Sequence, residues 1–306
     1  ARMLKSWLEQ PLQSITAINA RLDGVAELKE NLILCDSVND LLLKIKDIER
    51  ILAKISYGSI NARDCQALQQ SLGVLPELKQ TLEGCAAPIL VELNRRIDPL
   101  EDVCALLSSA IADNPPPGIR DGGIIRDGYN PELDGLRNAF TRGREVISSM
   151  EASEREATGI KNLRVGFNKV FGYYIEVTNS NLAAVPYRYI RKQTLANAER
   201  FITPELKELE DTVLHAEERS VKLEQALFAE IREALERQIP RMQTTAAALA
   251  ALDVLHSFAR LSLRNNYVRP DINADGVINI VDGRHPVVEL SIGAQQFVPN
   301  NTVLDM

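Results

Sequence analysis

Between Ile160 and Ile202 the chain gathers the residue types that hold a polyanion. Lys161, Arg164, Lys169, Arg188, Arg191, Lys192 and Arg200 are countered there only by Glu176 and Glu199, so this stretch carries +5 within a chain of net charge −7. A local basic patch on an acidic body is the footprint expected of a contact with a highly charged anion. Asn168 and Asn197 fall in the same stretch. Amide side chains donate to phosphate oxygens, and each lysine adds the release of a counterion. The same asparagines suit local turn or cap hydrogen bonds, and Arg188 and Arg191 suit a solvated surface.

Other chemistries find little support. Cys35, Cys65, Cys85 and Cys104 lie far apart with no CxxC pair, which reads as reduced thiols in a cytosolic protein. His215, His256 and His285 have no metal-ligand spacing. Asp121-Gly122-Gly123 has the glycines of a phosphate cradle but neither the GxGxxG nor the GxxxxGK[ST] spacing. No GxSxG or HExxH pattern occurs, so neither a catalytic set nor a metal site is expected. No apolar run of about 18 residues is evident and the N-terminus lacks a signal-peptide core, so no membrane partner is expected. Ala1 in place of a methionine, and a strand start with no domain after it, point to a piece of a larger protein.

The elements that must position the basic stretch are mostly helical. Residues 1–113 show several apolar stripes at three/four spacing, most cleanly Leu41, Ile45, Ile48, Leu52 and Ile55. Pro115-Pro116-Pro117 and the glycines up to Asn130 make a loop or short hairpin. Two long helices then open alike, Asn130-Pro131-Glu132-Leu133 and Thr203-Pro204-Glu205-Leu206. Each has a capping residue, proline at the first helical position and an acid in the first turn. They are expected to run to about Thr158 and Gln238, spanning about 40 and 50 Å. An apolar seam through Leu206, Leu209, Val213, Ala216, Leu223 and Leu227, interrupted by Ser220, is expected on the second.

Between the helices, Leu163 to Asn168 and Gly172 to Thr178 alternate as two strands, and Tyr187 to Thr194 could add a third extended piece. Seven of the fourteen Phe and Tyr residues fall from Phe167 to Phe201, enough to give a small sheet its core. The expected fold is mainly α: a helical core, two long lever helices, a small inserted β-rich clamp and a short C-terminal β segment. After Pro240 a further helix, a strand over Val277–Val281 and a second strand entered through Gly283 to Glu289 complete the reading.

Several blocks carry a family likeness. Val165-Gly166-Phe167-Asn168 with Gly172-Tyr173-Tyr174-Ile175, then Gln193-Thr194-Leu195 through Asn197-Ala198-Glu199-Arg200-Phe201 to Pro204-Glu205-Leu206-Lys207, resemble the clamp of the MutS mismatch-repair family. Asp47-Ile48-Glu49-Arg50, Leu252-Asp253-Val254-Leu255 and Gly283-Arg284-His285-Pro286-Val287-Val288-Glu289 resemble blocks before and after it, collinear along the chain.

The resemblance implies residues 1–144 and 204–267 as the core and lever, 145–203 as the clamp and 268–306 as the start of a truncated ATPase domain. It places Asn168, Lys192 and Asn197 at clamp positions that meet the DNA backbone, with Lys169, Arg188 and Arg191 in the same basic cluster. Ala196 departs from the pattern, since some relatives carry a lysine there. Phe297 and Val298 match positions that pack on the adenine of a nucleotide, and an aromatic face suits a purine. The resemblance implies that the mismatch-reading module with its Phe-x-Glu motif lies outside this chain, and no GxxxxGK[ST] phosphate loop occurs in it, so no cofactor and no enzyme activity are expected of this chain. ATP, Mg2+, a homodimer and a MutL-type repair partner belong to the longer parent the resemblance implies, in the bacterial cytoplasm near the nucleoid. The expected partner is double-stranded DNA, held without reading its sequence. A coiled-coil scaffold that binds protein and no DNA is the competing reading, and an enzyme with an unrecognised site is a third.

Overall fold

The computed structural model describes residues 2–119, 122–168, 170, 172–292 and 297–305, and it is mainly α. Its helices are α1 (Arg2–Glu9), α2 (Ile15–Glu30), α3 (Leu32–Leu42), α4 (Ile48–Ser56), α5 (Ala62–Leu72), α6 (Leu75–Leu82), α7 (Pro88–Arg96), α8 (Glu101–Ala110), α9 (Pro131–Thr158), α10 (Pro204–Arg237), α11 (Ile239–Asn265) and α12 (Pro286–Ile292). Its strands are β1 (Arg164–Asn168), β2 (Gly172–Thr178), β3 (Ile190–Thr194), β4 (Ala198–Ile202), β5 (Val277–Gly283) and β6 (Asn300–Asp305). Two compact units form, one from Ala1–Leu43, Pro76–Asp98 and Thr244–Met306, the other from Lys44–Leu75 and Pro99–Gln243.

In the first unit, short polar residues start the helices: Ser14 and Asn31 accept the amides of Ala17 and Leu34. The Glu27 carboxylate holds the Ala86 and Ala87 amides at 2.7 and 2.6 Å, fixing the entry to α7. Gly24 gives α7 room on α2, for a Cβ there would lie 2.6 Å from Ile89. Contrary to the sequence expectation, α11 is long and apolar enough to cross a bilayer on composition alone. Alanine supplies much of that apolarity, and Ala248, Leu252, Leu255 and Ala259 are buried within the protein.

His256 lies in the same core, its Nε2 3.1 Å from the Cys35 carbonyl oxygen. Burial holds its pKa below the ordinary value, partly offset by that hydrogen bond. In the unfolded chain the imidazole takes a proton below about pH 6.5, whereas the folded site resists one. Its contribution is therefore complete above about pH 6.5 and is lost as pH falls through the depressed folded value. Urea unfolding at pH 7.5 and 5 should show a larger acid loss for the parent chain than for His256→Gln. Equal losses would remove His256 from the account.

The C-terminal strands β5 and β6 pair antiparallel, with Asn279 opposite Val303. The second strand follows at Asn300–Asp305, and the segment Gly283 to Glu289, expected as a turn into it, leads into the helix α12. Pro286 sits at its first position, His285 Nδ1 accepts the Val288 amide at 3.2 Å, and Arg284 pairs with Glu289 at 3.0 Å. This capping chemistry overrides the strand preference of Val287-Val288.

In the second unit α4, α5 and α8 form a helical body against which α10 packs. Arg241 pairs with Asp102 at 2.7 Å, and Arg232 reaches the Gly58 carbonyl at 3.3 Å. Asn130 and Thr203 cap α9 and α10 as expected, each accepting the amide three residues on, with proline next. At 1.5 Å per residue the two helices span about 42 and 51 Å. They pack side by side at Gly143, where a Cβ would fall almost on the Val213 methyl group.

The buried line of α10 differs from the expected seam. Leu209 and Leu223 are half-exposed, while Glu210 and Glu224 are buried along with Leu206, Val213, Ala216, Ser220, Leu227 and Ile231. Glu224 accepts the Gly123 and Ile124 amides at 3.0 and 2.8 Å and the Arg137 guanidinium at 2.8 Å. The glycine-rich loop thus cradles an oxyanion supplied by the chain itself. Gly122 (φ +71°) and Gly123 (φ +77°) adopt the left-handed backbone the cradle needs.

Candidate nucleic-acid interface

The basic stretch folds as a four-stranded antiparallel sheet in the order β1-β2-β4-β3, joined to α9 and α10. One strand was missed from sequence: β4, over Ala198–Ile202, pairs with both β2 and β3 and is central to the sheet. Its inward residues merge with the helices. Ile175, Val177, Phe201 and Tyr189 share a core with Ile147 of α9 and Leu206 and Val213 of α10. Phe201 and Tyr189 stack tilted, ring centres 5.8 Å apart.

The opposite face is polar and ordered by cross-strand pairs. Arg164 lies opposite Glu176, Glu176 opposite Arg200, and Arg200 opposite Gln193, one row over all four strands. Residues so paired share a face. Arg200 donates to Glu176 at 2.9 Å and to Gln193 at 3.1 Å, and its guanidinium lies 4.1 Å from the Tyr174 ring centre. Tyr174 lies flat over Gly166, where a Cβ would stand 2.7 Å from the ring.

Carboxylates on both long helices fasten the sheet. From α9, Glu151 accepts the Val165 amide at 2.8 Å, and Arg155 donates to the Leu163 carbonyl at 2.7 Å. The buried Glu154 carboxylate accepts Arg188 at 2.5 Å and the Tyr189 hydroxyl at 2.8 Å. Burial and that carboxylate push the Tyr189 phenol well above its ordinary pKa. From α10, Glu210 accepts the Tyr173 amide at 2.8 Å and Lys207 at 2.9 Å. None of these acids was singled out from sequence. Glu210 lies one position after Leu209 of the expected seam, so the sequence pattern carried no sign of its burial.

The residues expected to meet an anion are spread over the sheet. Asn168 ends β1, and its side-chain oxygen accepts the Val170 amide at 2.8 Å, so it orders the β1–β2 turn. Lys169 lies outside the described residues. Arg188 is 45 % exposed, one side committed to Glu154. Arg191 Nε lies 2.7 Å from the buried Glu199 carboxylate, an ion pair without a well-aimed hydrogen bond. Lys192 is exposed on the edge strand β3 at a register shift between Arg191 and Gln193. Such a bulge re-aims a side chain and blunts the strand edge.

Asn197 is exposed in the β3–β4 turn, where its carbonyl accepts the Asn179 amide at 3.1 Å. Asn168 faces Gly172 at one end of β2, whereas Asn197 adjoins Ala198, opposite Thr178 at the other. Six residues of strand separate the two ends, about 20 Å. They cannot grip one phosphate together; they could meet an extended backbone of about six phosphates at 3.4 Å spacing along a strand. Lys161 and Arg164 are also exposed. In the other unit, Phe297 is half-buried and Val298 exposed just before β6.

The cysteines behave as core thiols. Cys35, Cys65 and Cys85 are buried, and burial raises the Cys65 thiol to about 12 and the Cys85 thiol to about 11. Among the described residues no group of three or more His, Cys, Asp or Glu is placed to hold a metal ion.

The second unit is thus a helical body with two long helices that bear a small sheet carrying exposed basic residues. The family described as MutS domain III matches residues 1–259, and the chain belongs to that family. It is 50% identical over 305 residues to the DNA mismatch repair protein MutS of Ruminiclostridium cellulolyticum, covering 100% of this chain and 35% of that protein. The MutS proteins of Caldicellulosiruptor bescii and Pelotomaculum thermopropionicum are each 51% identical over 305 residues, covering 100% and 99% of this chain and 35% of each relative. The chain thus spans about a third of the length of these relatives.

Proposed function

We propose that this chain is the lever and clamp of a DNA mismatch-repair protein, and that its sheet holds duplex DNA by the backbone. The names of its relatives support mismatch repair as the process. The observation that carries the clamp reading is the sheet's attachment. Amides of both β1 and β2 end on carboxylates of α9 and α10, so the sheet follows the helices. Its cations and amides extend over about 20 Å, a span suited to a row of phosphates and not to a single small ligand.

In this reading residues 145–203 are the clamp, 1–144 and 204–267 the core and lever, and 268–306 the beginning of an ATPase domain. Asn168, Lys169, Lys192 and Asn197 meet the backbone directly. Arg188 and Arg191 set the shape of the sheet through Glu154 and Glu199 and add to its field. Rigid helices moving about a hinge would carry nucleotide state to the clamp. In the longer protein ATP and Mg2+ would act at a site to which Phe297 and Val298 contribute, within a homodimer that meets a MutL-type partner in the bacterial cytoplasm.

Hydrogen exchange on this chain, with and without a mismatch-free duplex, tests the clamp. Added DNA should slow exchange within 161–202 and in the first turns of α10. Protection confined to other segments, or none at all, would favour the protein-binding scaffold.

A further inference from the structure

Gly172 and Glu210 meet more closely than any other glycine and carboxylate described here. Gly172 has φ +75°, and a Cβ on it would stand 2.5 Å from both Glu210 carboxylate oxygens. Only glycine fits that backbone beside that acid. Glu210 is buried two turns into α10 and accepts the Tyr173 amide, the first after the glycine. On its other oxygen it takes Lys207 from its own helix. Across the ladder Gly172 pairs with Asn168, whose side chain closes the turn onto Val170. One chain of contacts therefore runs from the α10 backbone through Glu210 to the residue that presents Asn168.

We infer that Glu210 is a positioning residue, a latch through which α10 sets the attitude of the β1–β2 turn toward the DNA backbone. This rests on the clamp reading above and names the contact that regulates it. A buried acid on a helix seam is costly unless its lone pairs are filled. Here they are filled by a lysine and by a backbone amide of the sheet, so displacing the turn exposes an unmet carboxylate. Gly172 and Tyr173, and with them Asn168 across the ladder, then have one strongly favoured position relative to α10. Motion of α10 carries them along.

The test uses the full 306-residue chain with Glu210→Ala and Glu210→Gln. Glutamine keeps an acceptor for the Tyr173 amide; alanine does not. Glu210→Ala should speed exchange at Tyr173 about tenfold, as expected for loss of one hydrogen bond to a buried acceptor, while amides near Ile231 stay as slow as before. It should also weaken duplex binding about tenfold at fixed salt with little change in the salt slope, as a neutral amide contact loses its place. Glu210→Gln should restore both Tyr173 protection and duplex affinity to within about twofold. Unchanged exchange at Tyr173 in Glu210→Ala, or faster exchange spread evenly over the unit, would overturn the latch. If the parent chain shows no salt-dependent DNA binding, the clamp reading fails, and Tyr173 exchange alone still decides whether the latch exists.

Discussion

Glu224→Ala should cost the second unit about 3–5 kcal/mol, the largest loss expected of any single truncation here. The carboxylate is 2% exposed and unites three partners distant in sequence. Removing it leaves the Gly123 and Ile124 amides without an acceptor, and leaves the Arg137 guanidinium, raised above its usual pKa by Glu224 and Asp127 against the effect of burial, without its main partner. Unmet buried amides cost about 1–3 kcal/mol each and an abandoned charge more. Glu224→Gln keeps an acceptor for the amides and should lose only about 2 kcal/mol. Urea denaturation at neutral pH measures both. Loss of less than about 1 kcal/mol in the alanine variant would show that the loop is held by its apolar contacts, Ile124 and Ile125, and not by the acid.

Arg188→Glu should cost about 2–3 kcal/mol, although charge alone would rank Arg188 with the surface cations. The substitution sets a second carboxylate against Glu154, which is buried with the Tyr189 hydroxyl already on the same oxygen. Partial exposure of Arg188 tempers the penalty through solvent screening. Lys161→Glu reverses a charge at an exposed site and should change stability by less than about 0.5 kcal/mol. Thermal unfolding of the two variants separates these roles. Equal melting points would mean that Glu154 does not depend on Arg188. The contrast also decides which cations can report on DNA: reversing Arg188 damages the sheet before it tells anything about a ligand.

Much of this architecture follows from local chemistry that a sequence displays. Asn130-Pro131 and Thr203-Pro204 set the starts of α9 and α10 because capping and proline act over a single turn. Gly172 marks the β1–β2 hairpin for the same reason. What escaped depends on distant partners. Glu210 and Glu224 read as surface acids on a polar helix, and only the Tyr173 amide and the Gly123–Ile124 loop make burial tolerable for them. β4 has the composition Ala-Glu-Arg-Phe-Ile, with little strand preference in its first half, and it is a strand because β2 and β3 flank it. Val287-Val288, expected within a turn, fall in α12, where the cap at His285 outweighs β-branching.

The candidate site was legible as a region and not as a geometry. Charge counting located residues 160–202, but could not say that Arg188, Arg191 and Arg200 are engaged by Glu154, Glu199 and Glu176. Nor could it place Asn168 and Asn197 at opposite ends of the sheet. On the proposed reading the patch would meet DNA as an extended rail and not as a point grip. On that reading the exposed cations Lys161, Arg164 and Lys192 would supply counterion release, while Arg188, Arg191 and Arg200 pair with Glu154, Glu199 and Glu176.

The most direct test of this rail is the slope of log affinity against log salt for a mismatch-free duplex, measured on the parent chain and on a triple variant with alanine at Lys161, Arg164 and Lys192. The parent should bind with a clearly negative slope that is the same for unrelated sequences. The triple variant should lose about 2–3 units of slope and about a hundredfold or more in affinity at 0.1 M salt, while keeping its melting temperature. A parent slope near zero, or a triple variant that binds with the parent's slope, would contradict the claim that this sheet holds DNA by its phosphates.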